Sequence, residues 1–170
     1  MTSSKLSDWL QIIGTFGVLA GLILVTLQMK QSTALVRAEL RSNADDAWIN
    51  IDASKQSEIF SQVLAKSIVE PQNLTNAEIL ELDGYLFTYI DQLLRDSALY
   101  RQGISEDSPA ALVHGSLHDY FGNKFARVWW AETKWKFDPE LVAIIDREMK
   151  NVSITQDLDY IERIKAQFGD

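Results

Sequence analysis

The chain has no cysteine and only 2 histidines among its 170 residues. Without thiols it cannot form disulfides, iron–sulfur clusters, thiolate zinc sites or a cysteine nucleophile. The signatures of a Ser-His-Asp triad, a P-loop or a glycine-rich phosphate loop are also missing. The sequence therefore predicts a protein that is not an enzyme and that holds no cofactor.

Basic residues are fewer than acidic ones as well. The chain has 16 Lys and Arg residues against 24 Asp and Glu residues, which gives a net charge of −8. A protein that binds nucleic acid usually carries a basic stripe, so nucleic acid is not expected as a partner. An acidic domain is also repelled by anionic lipid, so we expect the soluble part to stand away from a membrane surface.

Strand patterns and repeats are lacking too. No stretch alternates between apolar and polar residues for long enough to form a β-strand, and no segment recurs along the chain. The fold class predicted from this is all-α, with an N-terminal transmembrane helix continuing into a soluble helical bundle of about five to six helices.

What the sequence does contain is one long apolar run, Leu10 to Met29, without a charge or a proline. Twenty helical residues span about 30 Å, the thickness of a bilayer's hydrocarbon core. A cleaved signal peptide is the alternative, but this run is longer than the apolar region of a signal peptide, and no small-residue cleavage site follows it. We therefore expect a flank at residues 1–9, a transmembrane helix at 10–29 and a soluble helical domain at 30–170.

Basic residues near this run set its expected orientation. Lys30, Arg37 and Arg41 follow it, whereas Lys5 precedes it. Because cytoplasmic flanks carry the excess of Lys and Arg, we expect the soluble domain in the cytoplasm.

Capping and breaking residues predict the helices. Neither glycine nor proline occurs between Gly21 and Asp52, so one helix is expected from about residue 6 to residue 53. Later boundaries are predicted at Ser57, at the capping box of Thr75 and Glu78, at Gly103, at Ser108-Pro109, at Gly122-Asn123, at Asp138-Pro139 and at a second capping box of Ser153 and Gln156.

Three glycines form the first candidate site. Gly14, Gly17 and Gly21 lie on one face of the predicted span, and small residues let helix backbones approach closely in lipid. Glycine is also common in membrane helices that have no such role. The expected partners are the lipid bilayer and either further copies of the chain or another membrane protein.

Two further groups are candidates. Trp129, Trp130 and Trp135 belong to a dense aromatic segment, which fits core packing first and an interface or apolar pocket second. Because adjacent residues do not share a helix face, we expect one of Trp129 and Trp130 to be in the core and the other to cover a neighbouring element or a partner. His114 and His118 have a spacing that can chelate a metal, but further ligands are lacking, so no metal is expected.

Three segments carry a resemblance. They are the glycine-rich span running into residues 28–33, the turn from Tyr100 to Asp107, and the pair formed by Ala126–Trp130 and Phe137–Leu141. In this combination the chain resembles a widespread group of small, single-span bacterial membrane proteins of unassigned function, with Leu141 in place of the group's usual phenylalanine. The resemblance implies a glycine-rich N-terminal span followed by a helical domain, located in the bacterial inner membrane.

Three functions stay open at this point. The preferred one is a non-enzymatic, membrane-anchored assembly or adaptor protein that associates through the glycine face. The second is an accessory subunit of a larger hetero-oligomeric membrane complex. The third is a helical domain that binds a small molecule or a metal through the histidine face or the aromatic segment.

Overall fold

The computed structural model describes the backbone of residues 3–168 and the side chains of Trp9 and residues 11–168. Met1 and Thr2 of the predicted flank, and the side chain of Leu10, lie outside this range. The α-helices are α1 (Ser3–Ser54), α2 (Glu58–Val69), α3 (Asn76–Arg101), α4 (Pro109–Phe121), α5 (Lys124–Thr133), α6 (Pro139–Glu148) and α7 (Gln156–Phe168). Short 3₁₀ turns lie at Pro71–Asn73, Lys134–Lys136 and Met149–Asn151. The described range holds no strand, so the all-α prediction is confirmed, and six helices follow α1.

Two units make up the chain, Met1–Ser42 and Asn43–Asp170. The boundary between these units falls within α1. The second unit therefore contains the last three turns of α1 together with α2 to α7.

In the first unit, α1 is long and apolar enough to cross a membrane, judged by length and composition. Its two threonines within the apolar run are satisfied locally. The hydroxyls of Thr15 and Thr26 donate to the backbone oxygens of Gln11 and Leu22, four residues earlier, at 2.9 and 2.8 Å. Such bonds let a threonine reside in an apolar surrounding without a further partner.

The helix starts of the second unit follow the predicted caps. Thr75 Oγ1 accepts from the Glu78 backbone N–H while the Glu78 carboxylate accepts from the Thr75 N–H, which forms the capping box. Lys66 also donates to this carboxylate, and these bonds lower the pKa of Glu78 to about 2. At the other end of α3, Gly103 has a φ of +66°, a conformation that favours glycine.

Three more of the predicted helix starts are confirmed, and one is wrong. Ser108, Asn123 and Asp138 each accept a hydrogen bond from a backbone N–H in the first turn of α4, α5 and α6. The predicted capping box at Ser153 does not form, because the Ser153 hydroxyl accepts from the Thr155 N–H instead. α7 therefore begins only at Gln156.

The core of the second unit is built around α3. This helix packs against α2 and α4, and α4 also packs against α5 and α6. The buried side chains of α3 recur at helical spacing, so one face of the helix is in the core and the other is exposed. They include Leu82, Leu86, Tyr89, Ile90 and Leu93.

Candidate functional sites

The three glycines of α1 lie along one side of the helix. At about 100° per residue, Gly14, Gly17 and Gly21 fall within an arc of about 60°. A Cβ atom built at any of them would meet nothing within 4 Å among the described atoms. Packing inside the described chain therefore does not account for glycine at these positions, and this glycine face is open to a neighbouring helix.

The apolar surface around the glycine face is equally uncovered. Between Trp9 and Met29, twelve large apolar side chains are exposed. Burying each one contributes about 1.5–2 kcal/mol, so roughly 20 kcal/mol of burial is missing, more than the stability of a typical domain. A surface of this size needs to be covered by lipid or by other protein.

The adjacent tryptophans of α5 are both in the core. Trp129 is 7 % exposed and Trp130 is 2 % exposed. Their indole N–H groups donate to Asp83 of α3 and to Asp146 of α6, each at 2.7 Å. The two indoles point to different neighbouring helices, as expected for adjacent residues, but both belong to the core because α5 has helices on two sides. Trp135, by contrast, is 77 % exposed.

Arg127, two residues before Trp129 on α5, connects the end of α4 to the turn that follows α6. Its guanidinium donates to the backbone oxygens of Phe121 at 2.8 Å, Met149 at 3.0 Å and Val152. Burial lowers the pKa of Arg127, but an arginine remains protonated at neutral pH. The segment Ala126–Trp130, which contributes to the resemblance, therefore connects α5 to α3, to α4, to α6 and to the turn after α6.

A buried polar network attaches α1 to α3 within the second unit. Asp96, 5 % exposed, accepts hydrogen bonds from Trp48 Nε1 at 2.7 Å and from Gln92 Nε2 at 3.0 Å. Gln92 also donates to the backbone oxygen of Ala44 at 3.3 Å. Burial raises the pKa of Asp96 even though both donors favour its charged form. These bonds hold residues 44–48 of α1 against α3.

Three tyrosines stack in the core of the second unit. The ring of Tyr120 pairs with the rings of Tyr85 and Tyr89, with centroids 5.5 and 3.8 Å apart. Tyr89 Oη is bonded to Ser116 Oγ, whereas the buried Tyr85 Oη has no well-aligned partner among the described residues. Burial raises the pKa of all three phenols, so they stay neutral in the folded protein.

Each histidine of α4 lies against a carboxylate. His114 Nδ1 is 3.1 Å from Glu148 Oε2, and His118 Nε2 is 3.1 Å from Asp119 Oδ1. Both line a surface cavity of about 420 Å³. Among the side chains that the structure describes, no cluster of three or more His, Asp and Glu residues is arranged to hold a metal ion. The pair therefore lacks the further ligands that a metal centre needs.

A larger groove, about 640 Å³, lies between the end of α1, the start of α2 and α3. Buried side chains such as Ile51 and Phe60 line it, together with the exposed side chains of Glu81, Asp91 and Arg95. Three separate helices form this groove, and the sequence contains no motif that marks it. The one sequence signal that could have indicated the groove is the spacing of Glu81, Asp91 and Arg95, which places three charged residues on the side of α3 opposite its apolar residues.

Comparisons of the chain with models of protein families, with curated proteins and with solved structures found no match in any of the three. The functional argument therefore depends on the glycine face, the apolar surface of α1 and the groove beside α3.

Proposed function

We propose that this protein is a non-enzymatic assembly or adaptor module, anchored in a membrane by α1 and associating through the glycine face. The observation that carries the proposal is the apolar run of α1, whose described side chains from Gln11 to Met29 are exposed apart from the half-buried Gly21. Lipid tails are as apolar as these side chains, so in a bilayer the hydrophobic effect does not drive helices together. Helix association is then driven by the close packing of backbones at small residues.

The proposed location follows from charge and from the resemblance. Lys30, Arg37 and Arg41 favour a cytoplasmic position for the second unit, and the resemblance favours the bacterial inner membrane. Because the chain has no cysteine, a single substitution such as Glu106→Cys provides a specific label. Membrane-impermeant maleimide should label this variant only after the cells are opened; labelling of intact spheroplasts would place the domain on the other side.

The glycine face is tested with the full chain in mild detergent or nanodiscs. Gly17→Ile with Gly21→Ile should convert the wild-type oligomer to a monomer, measured as mass by light scattering. The matched control is Thr15→Ile with Thr26→Ile, which adds the same number of bulky side chains about 130–150° away around α1. An unchanged mass in the glycine variant contradicts the proposal.

Native extraction separates this function from the accessory-subunit alternative. A module that associates with itself should be recovered as a single polypeptide species. Recovery in a fixed ratio with other polypeptides would favour the role of an accessory subunit.

A further inference from the structure

α7 is the helix of the second unit that is held least firmly. Each of the other helices contributes buried side chains to this unit, whereas none of the described side chains of α7 is buried. Its half-buried side chains lie only in its first half, up to Ile161, and every side chain from Glu162 to Phe168 is exposed. Because few apolar contacts hold α7, we expect it to open at a lower free energy than the core around α3.

Two hydrogen bonds hold the start of α7 on the turn between α4 and α5. The Asp157 backbone N–H donates to the Gly122 backbone oxygen at 3.1 Å, and the Asn123 side-chain amide donates to the Asp157 carboxylate at 2.9 Å. Burial raises the pKa of Asp157, whereas the bond from Asn123 opposes that rise. The carboxylate is thus half-buried against the turn, and we call this pair of bonds the Asp157 contact.

The close approach of Asp157 accounts for the glycine at Gly122. The φ of −76° and ψ of 8° at this glycine are open to any residue, so the backbone conformation does not require it. A Cβ atom at Gly122 would overlap the Asp157 carboxylate. At every other glycine that the structure describes, a Cβ atom would meet nothing within 4 Å. The sequence is therefore adapted at this one glycine to the docking of α7.

The chain that leads into α7 is fixed up to Val152. The guanidinium of Arg127 donates to the backbone oxygens of Met149 and Val152. The next three residues, 153–155, are exposed, and their described side-chain hydrogen bonds stay within this segment and the first turn of α7. A hinge at residues 153–155 therefore lets α7 move while Arg127 keeps the preceding turn in place.

The start of α7 also forms part of the wall of two cavities. Gln156 lines the cavity of about 420 Å³ that contains the two histidines of α4. Leu158 lines a second cavity, of about 240 Å³, together with Ile68 and Pro71 at the end of α2. Movement of α7 away from the turn would remove one wall from each cavity.

We propose that α7 is a lid, hinged at residues 153–155, that closes on the turn at Gly122 and Asn123 through the Asp157 contact. The lid opens as one piece while the rest of the second unit stays folded. Its opening uncovers both cavities and the end of α2, so the strength of the Asp157 contact sets the access to them. The inference does not depend on the membrane anchor or on the glycine face.

Amide hydrogen exchange of the full chain in nanodiscs tests this lid, because it measures the opening of each segment separately. In the wild type, the amides of residues 157–161 should exchange about a hundredfold faster than those of residues 86–93 in α3. Gly122→Ala should accelerate residues 157–161 about tenfold further, because its Cβ displaces the Asp157 carboxylate, and should leave α3 unchanged. The matched control is Gly115→Ala in the same helix, whose Cβ meets open space and which should leave α7 as in the wild type.

A swap of two side chains tests the hydrogen bond itself. Asn123→Asp keeps the oxygen that accepts from the Ala126 N–H and caps α5, but it places a carboxylate against Asp157. The amides of residues 157–161 should therefore exchange about tenfold faster. Adding Asp157→Asn reverses the positions of the amide and the carboxylate, so the bond forms again in the opposite direction. The rates should then return to within about threefold of the wild type.

Four results would overturn the lid. Equal exchange of α7 and α3 in the wild type would mean that α7 opens only with the core, and complete exchange of α7 at the first time point would mean that it is never closed. An unchanged α7 in Gly122→Ala, or a double variant no closer to the wild type than Asn123→Asp alone, would mean that the Asp157 contact does not hold α7. Circular dichroism checks that the variants fold, and if Gly122→Ala does not, the side-chain swap decides.

Discussion

Removal of the Arg127 side chain should destabilise the second unit more than any other arginine substitution in this fold. The guanidinium supplies three hydrogen bonds to backbone oxygens, at the end of α4 and around the 3₁₀ turn that follows α6. A hydrogen bond from a charged donor contributes about 1.5–3 kcal/mol when buried. Arg127 is half-buried, so we take about 1 kcal/mol for each bond and about 3 kcal/mol in total for Arg127→Met.

The assay is thermal unfolding of the full chain in detergent, followed by circular dichroism. For a unit of this size, 3 kcal/mol corresponds to a decrease in Tm of roughly 10 °C. Arg127→Lys keeps the charge but offers an ammonium in place of the planar fork, so it should recover only about one of the three bonds. Arg101→Met is the matched control, because its ion pair with Glu140 spans 3.8 Å between exposed groups.

Two results would refute this reasoning. A Tm for Arg127→Met within about 2 °C of the wild type would mean that water replaces the guanidinium at all three oxygens without cost. Full recovery by Arg127→Lys would mean that charge, and not the geometry of the fork, is what the site requires.

Glycine and carboxylate substitutions give further predictions. Gly103→Ala should cost about 1 kcal/mol because φ is +66°, whereas Gly115→Ala, in an exposed helical position with open space around its Cβ, should stabilise by up to about 1 kcal/mol. Equal Tm values for the two variants would contradict this. Burial raises the pKa of Asp96 above 3.8, so the wild type loses stability as pH rises from 3.8 through that pKa. In urea titrations Asp96→Asn should lack this loss, and an unchanged dependence on pH would show that Asp96 is not its source.

The helix boundaries could be predicted from the sequence because their signals are local. The capping box of Thr75 and Glu78 and the cap formed by Asp138 use side chains within three residues of the backbone groups that they satisfy. Such bonds form whatever surrounds the helix. The wrong prediction at Ser153 is also a local matter, since its hydroxyl accepts from the Thr155 N–H while the Gln156 N–H donates to the Ser153 backbone oxygen.

Burial was harder to predict because it depends on residues far apart in the chain. Trp129 is buried beside Asp83, 46 residues earlier, and Trp130 beside Asp146, 16 residues later. Helical periodicity gives the direction of a side chain but not the number of helices that lie around it. The groove could not be predicted for the same reason, since the residues that line it belong to three helices, α1, α2 and α3.

The stacked tyrosines limit how alkaline a solution this fold tolerates. Tyr85, Tyr89 and Tyr120 would ionise near pH 10 in the unfolded chain but stay protonated in the folded one. Their stabilising effect is therefore complete below pH 10 and is lost as pH rises toward the folded pKa values. With three protons released on unfolding, stability falls by about 4 kcal/mol for each pH unit above 10. Strong base should thus unfold the second unit abruptly, and the absorbance of phenolate should appear together with the loss of helix.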